Sequence, residues 1–254
     1  MCGRFAVDSE VNELIEEFMA TGGNPNDWRP GWNIRPTDPV PVVIESTKTG
    51  ELVRRLELAR WSLVPSWSKE LKLKVPTFNA RAETAAEKAT FAASVKSKRA
   101  IIPASGYYEW HTEGKTKTPY FIHDPQGMIG FAGLYSWWKY PASRENPASQ
   151  ENPASPKNPG LADDENRWVL SATILTMDAV PHLEPIHNRN PVPLPREFWS
   201  EWLSTEVIGD QSFVDAAVAA SVPVAERLEF YEVGPVVGDG PQLTRPLSSS
   251  ESSS

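Results

Sequence analysis

Arg99-Ala100-Ile101-Ile102-Pro103-Ala104-Ser105-Gly106-Tyr107-Tyr108-Glu109-Trp110 is the stretch that decides the fold. Arg99 to Ala104 and Tyr107 to Trp110 are apolar or aromatic runs of strand length, separated by Ser105-Gly106. Pro119 to His123, Met128 to Tyr135 and Trp168 to Thr176 repeat the pattern, each bounded by Gly, Pro or Asp. No βαβ alternation runs through them. The expected class is α+β: a single domain with a mostly antiparallel, partly barrel-like β core flanked by short helices.

Towards the N-terminus, Val40 to Glu45 and Leu52 to Arg60 read as strands joined by a turn at Thr49-Gly50. Trp28 to Pro41 reads as a rigid, irregular crossing, because prolines and Gly31-Trp32 interrupt any regular element. Ser9 is placed as the N-cap of a short helix carrying Val11, Leu14, Ile15 and Phe18 at helical spacing. With Phe5 ahead of it, this helix is expected to hold the chain start in place. Ala82 to about Lys98 predicts a second helix, with Phe91 and Val95 one turn apart. Pro195 to Leu203 and Phe213 to Ala220 predict two more. The domain is expected over 1–247. A flexible insertion at about 140–166 contains Pro-Ala-Ser at Pro141, Pro147 and Pro153, and the serine tail 248–254 reads as disordered.

The 254 residues suffice for a substantial core. No apolar run approaches membrane length and no signal peptide is evident, so the expectation is a soluble, cytoplasmic protein with no membrane partner. The net charge of −8 opposes nucleic-acid binding on average, yet Lys69 to Arg99 holds eight basic residues against three acidic ones. A basic groove on an acidic body is compatible with this pattern, as is a merely solvated face.

Cys2 is the single cysteine, which excludes an internal disulfide and a thiolate cluster for zinc. Loss of Met1 would give it a free α-amine beside its thiol. Such a 1,2-aminothiol attacks acyl carbons, or traps an aldehyde as an imine that the thiolate closes into a thiazolidine. A frayed terminus of no consequence is the plain alternative.

Glu109 lies among Tyr107, Tyr108 and Trp110, where desolvation would raise its pKa and suit it to proton transfer. It reads equally as an outward strand glutamate. His187 sits between Pro185 and Pro191 beside Arg189, either a positioned proton donor next to a phosphate clamp or a satisfied structural histidine. His182 and Glu184 form no helical metal face, since Pro181 and Pro185 flank them. Asn79 reads first as the cap of the helix beginning near Arg81, and second as an amide aimed at a substrate oxygen. Ten tryptophans, with Trp61 to Trp67 leading into the basic stretch, fit either core packing or stacking on unpaired bases.

These windows, in order, are Met1-Cys2-Gly3-Arg4, Trp32 to Thr37, Trp61 to Trp67, Phe78 to Thr84, Ile102 to Trp110, Phe131 to Leu134 and His187-Asn188-Arg189. Together they resemble the SOS response-associated peptidase (SRAP) family, which processes abasic sites in single-stranded DNA. The resemblance implies self-catalysed loss of Met1 by peptidase-type chemistry. It further implies a covalent thiazolidine crosslink from Cys2 to the sugar aldehyde, formed through lyase-like imine chemistry, that shields the lesion from strand cleavage. Asn79, Glu109 and His187 would complete the catalytic set. Arg4, Arg81 and Arg189 would hold phosphates, and Trp67 and Trp110 would shape the strand. No cofactor or metal is implied. The partners implied are abasic single-stranded DNA and replication-fork proteins, for a monomer that is nucleoid-associated if bacterial. The family usually places an acid and a methionine where this chain has Asn188 and Asn190. Losing that carboxylate would lower the His187 pKa. Two rivals stay open: an N-terminal nucleophile amidohydrolase of the glutamine amidotransferase type, and a non-catalytic single-strand binder.

Overall fold

The computed structural model describes residues 3–48, 50–140 and 168–247. In chain order it begins with β1 (Phe5–Val7), α1 (Val11–Glu17), β2 (Gly22–Gly23), β3 (Gly31–Ile34), β4 (Pro39–Ser46) and β5 (Val53–Trp61). Next come β6 (Asn79–Arg81), α2 (Ala92–Ser97), β7 (Arg99–Ala104), β8 (Gly106–Glu113), β9 (Thr116–His123) and β10 (Ile129–Lys139). The chain then passes through β11 (Trp168–Asp178), β12 (Arg189–Pro191), β13 (Pro193–Leu194), α3 (Trp199–Leu203), α4 (Gln211–Arg227) and β14 (Glu229–Glu232).

Two sheets share this chain. In the larger, β11, β10, β7, β4 and β5 lie side by side, and β5 returns to pair in parallel with β11 through Arg60↔Ser171 and Trp61↔Ala172. That last pairing closes five strands into a barrel, leaving no open edge around the ring. The smaller sheet runs β14-β9-β8-β1-β3, antiparallel throughout. The expected α+β class with a partly barrel-like core is therefore what the chain adopts.

The decisive stretch joins the two sheets. β7 is buried along its whole length between β4 and β10. Its Pro103 has no N–H to give. The proline is tolerated because β4 meets β7 at Val43↔Ile101, two residues earlier, and Pro103 itself pairs with Gly130 of β10. At Gly106 the chain leaves the barrel for the small sheet, and a Cβ there would lie 2.4 Å from the Phe121 ring and 2.6 Å from the Ile122 carbonyl. Only glycine permits that approach.

Between the sheets sits Phe5. Its ring is fully buried, edge-on to Trp61 at 4.8 Å and to Phe131 at 6.5 Å between centroids, while Phe131 meets Tyr107 at 5.8 Å. β1 thus pairs within the small sheet while its side chain fills the barrel.

Several helices differ from the sequence expectation. Glu10, not Ser9, caps α1, through a capping box in which its backbone N–H donates to Glu13 Oε2 at 2.8 Å. Ser9 instead bonds the Met128 sulfur at 3.5 Å and accepts from Trp28 Nε1 at 3.1 Å. The segment from Trp28 to Pro41 is more regular than expected, containing β3 and the start of β4. The helix expected over Ala82 to Lys98 is broken into a 3-10 turn, Ala82–Thr84, and α2. The Gln211 carboxamide explains the break, because it donates to the Ala82 carbonyl at 2.9 Å and accepts from the Ala86 N–H at 3.4 Å. Those are the two groups an α-helix would have joined to each other. Residues 196–203 form a 3-10 turn followed by α3. α4 is longer than expected, capped by Asp210 and continuing through Pro223 to Arg227. Met1, Cys2, Thr49, the Pro-Ala-Ser insertion and the serine tail lie outside the described residues. Among the described residues no helix is long and apolar enough to cross a membrane.

Removing the Phe5 ring would leave a cavity where the two sheets meet. Phe5→Ala is expected to lower unfolding free energy by about 3–5 kcal/mol, and Phe5→Leu by less than half as much, both read from urea denaturation.

Candidate functional site

The site is built around β1, which lies between β8 and β3. Tyr108 donates its backbone N–H to the Arg4 carbonyl at 2.9 Å, so the chain emerges from the small sheet beside the residue that precedes Glu109. From Arg4 to Cys2 is two residues, a reach of at most about 7 Å. Cys2 itself lies outside the described residues.

Glu109 occupies the middle of β8, opposite Tyr120 of β9, and only 3 % of it is exposed. Burial raises its pKa from an ordinary 4.5 to about 7, and the positive charge of the amino terminus acts against that rise. Near neutral pH the carboxyl is therefore poised to give or take a proton.

His111 follows two residues later on the same strand face. Its Nδ1 lies 2.6 Å from the Pro185 carbonyl, which draws the segment leading to His187 against β8. Sequence reading did not single out this histidine. Its one signal was its i+2 spacing from Glu109.

His187 is half-buried. Its Nδ1 lies 3.0 Å from the backbone N–H of Arg189 and 3.2 Å from the Arg189 carbonyl. A neutral ring accepts from the N–H and so carries its proton on Nε2, whereas a charged ring can donate to the carbonyl. Burial lowers its pKa below 6.5, the amino terminus and Arg189 lower it further, and the hydrogen bond with the Arg189 backbone opposes them.

Asn79 belongs to β6, pairing in parallel with Ile174 of β11, and does not cap a helix. The 3-10 turn after it is preceded by Arg81, whose side chain makes no capping bond. Arg81 is exposed at the end of β6. β12 joins the opposite margin of β11, with Thr176 facing both Arg81 and Pro191. The Asn79 and His187 segments therefore meet at the C-terminal end of one strand.

Arg189, expected to hold a phosphate, is buried and engaged by carboxylates. Nη1 lies 2.7 Å from Glu83 Oε1 and 2.6 Å from Asp178 Oδ1; Nη2 lies 3.0 Å from Glu83 Oε2 and 2.6 Å from the Thr176 carbonyl. These two acids balance the buried guanidinium charge. Asn190 is buried and structural, accepting from the Val180 N–H at 3.3 Å and donating to the Pro191 carbonyl at 2.7 Å. His182 bonds the Leu228 carbonyl at 2.9 Å and stacks on Phe230. Among the described residues, no group of three or more His, Cys, Asp or Glu is arranged to hold a metal.

Arg4 donates to Asn33 Oδ1 at 2.8 Å, and Asn33 is fixed in turn by the Gly238 carbonyl at 2.6 Å. Burial, followed by the nearby Arg35, lowers the Arg4 pKa. Two like charges gathered beside the chain start favour an anionic ligand. Trp67 presents 61 % of its surface to solvent. Trp110 is half-buried against the cluster of Ala6, Tyr108 and Phe121. Glu109 thus lies beside β1 on β8, and the Asn79 and His187 segments flank the end of β11, while the exposed ring of Trp67 donates its Nε1–H to the Ala89 carbonyl at 3.4 Å.

Comparisons with known proteins establish the family and the fold. The sequence profile of the family described as SOS response associated peptidase (SRAP) matches residues 1–240. The abasic site processing protein YoqW of Bacillus subtilis is 34 % identical over 207 residues, covering 80 % of each chain. YobE of the same organism, also named an abasic site processing protein, is 31 % identical over 247 residues, covering 96 % of this chain and 98 % of its own. In fold, a crystal structure of a Bacteroides thetaiotaomicron protein superposes with a TM-score of 0.72 at 18 % identity, covering 97 % of this chain and all of the other. The chain belongs to the SOS response associated peptidase (SRAP) family.

Proposed function

We propose that this protein processes abasic sites in single-stranded DNA by capturing them covalently on Cys2 once Met1 has been removed. The observation that carries the reading is geometric: the carbonyl of Arg4, two residues after Cys2, accepts the backbone N–H of Tyr108 beside the buried carboxyl of Glu109, and His111 on the same strand draws in the segment that carries His187. Two proton-transfer groups set around a terminal amine are what capture of an aldehyde requires. The names of the relatives, abasic site processing proteins, support the same substrate class.

The chemistry follows from the groups. Cys2 thiolate attacks the Met1 carbonyl, and water hydrolyses the resulting thioester, releasing methionine and freeing the α-amine. His187 assists opening of the abasic sugar to its aldehyde. The amine then adds to the aldehyde carbon, giving a carbinolamine. Protonated Glu109 donates to the departing hydroxyl, which leaves as water, and a protonated imine forms. The Cys2 sulfur adds to the imine carbon and the amine nitrogen regains its lone pair, closing a thiazolidine. The Asn79 amide orients amine and sugar. Arg4 and Arg81 receive phosphates. Arg189 does so only by exchanging its carboxylate partners, and otherwise anchors the His187 segment. Trp67 and Trp110 stack on or bracket the strand beside the lesion.

Cys2→Ala is expected to abolish a heat-stable adduct with an abasic single-stranded oligonucleotide on denaturing gels. Persistence of the adduct would contradict the proposal. Full activity of the variant in a binding assay, with no adduct from the wild type, would instead mark a simple single-strand binder. Glutamine hydrolysis without adduct would mark an amidohydrolase.

Glu109→Gln separates chemistry from stability. The folded pKa lies above the unfolded one, so the protonated carboxyl stabilises the fold fully below pH 4.5, and this contribution is lost as pH rises to about 7. At pH 8 the loss is complete, and the glutamine variant is expected to exceed wild type by on the order of 3 kcal/mol in urea unfolding. At pH 5 the difference shrinks. The same variant is expected to crosslink more slowly and to lose any inflection of rate near pH 7.

A further inference from the structure

Glu83 stands four residues after Asn79, yet its carboxylate reaches across the end of β11 to the segment that carries His187. Its two oxygens take both terminal nitrogens of Arg189, at 2.7 and 3.0 Å, in a fork that a single-point contact cannot reproduce. Asp178 also touches this guanidinium, but from one oxygen, with 87 % of its side chain exposed against 48 % for Glu83. Asp178 moreover faces Arg189 in the β11–β12 register, so its contact only repeats a link that the sheet already makes. The Glu83 contact is different because it ties the 3-10 turn that follows β6 to β12, and β6 and β12 pair with opposite margins of β11 rather than with each other.

We propose, on the basis of the function given above, that Glu83 is a positioning residue, holding His187 in register with Asn79 through its paired hydrogen bonds to Arg189. The link from Arg189 to the imidazole is short. The Arg189 backbone N–H bonds His187 Nδ1 at 3.0 Å, so the place of residue 189 fixes the ring's orientation. Arg189 is buried, and its guanidinium also meets the Thr176 carbonyl at 2.6 Å and the Thr176 hydroxyl at 3.3 Å. With Glu83 neutralised, that buried charge keeps a single carboxylate, on the exposed Asp178, beside the Thr176 oxygens, and the guanidinium shifts towards solvent. The imidazole loses its fixed partner as the segment follows.

The test uses the full chain with abasic single-stranded oligonucleotide under single-turnover conditions. Affinity is measured separately on an oligonucleotide carrying a tetrahydrofuran site, which has no aldehyde to react. Glu83→Gln preserves shape and is expected to slow crosslinking at saturating DNA by about tenfold while affinity stays within about twofold. Glu83→Asp, which keeps the charge one methylene back, is expected to recover part of the rate. Histidine-labelled samples give a second readout: wild-type His187 shows one tautomer with its proton on Nε2, and Glu83→Gln shows a mixture. Wild-type rate in Glu83→Gln, a loss that appears only in affinity, or no recovery in Glu83→Asp would overturn the assignment. Should Glu83→Gln fail to fold, Glu83→Asp alone must show reduced rate with unchanged affinity, and wild-type rate there counts against the proposal. Absence of any adduct from the wild-type chain would remove the proposed function itself, a result distinct from unchanged crosslinking in the variants.

Discussion

Everything at the site depends on the burial of Phe5. A residue this near the start of a chain is ordinarily free to fray. Here its ring fills the space between Trp61 and Phe131 while its backbone pairs with Tyr107 on one side and Ile34 on the other. The barrel and the small sheet are thereby joined through the first strand. From Phe5 onward the first strand is part of the core, which is the condition for using a terminal amine and thiol as reagents. Chemistry that needs residue 2 needs residue 5 to stay in place.

The electrostatics follow from that anchoring. Glu109 is pushed up to about 7 by burial, and His187 is pushed down from 6.5, also by burial. Glu109 therefore has access to both protonation states near neutrality, while His187 is biased towards the neutral ring. Such groups burden the fold: a buried carboxyl that must ionise destabilises the native state as pH rises. Arg189 is handled differently. Its charge is buried but neutralised by Glu83 and Asp178, acids that lie far apart in sequence.

The strands were legible because their apolar runs are long and punctuated, as in Arg99 to Ala104 and Trp168 to Thr176, both of which lie within strands of the barrel. The barrel's closure was not, since it rests on a parallel pairing between Trp61 and Ala172, more than a hundred residues apart. The helix over Ala82 to Lys98 looked continuous from its alanines, but a glutamine from α4 occupies its first backbone bond. Asn79 read locally as a cap, because nothing near it in sequence shows that β11 will pair with it. Among site residues, Glu109 was legible from its aromatic neighbours, while His111 and Glu83 act through partners 74 and 106 residues away. Short-range chemistry was readable, and long-range pairing was not.

The central claim is that the chain start becomes an aminothiol that captures a DNA aldehyde. Intact mass of the purified protein, recorded before and after incubation with an abasic single-stranded oligonucleotide, tests it most directly. The account predicts a starting mass lacking one methionine residue, followed by a shift equal to the oligonucleotide less one water, with Cys2 blocked to thiol reagents. Retention of Met1 together with an unchanged mass after incubation would contradict it.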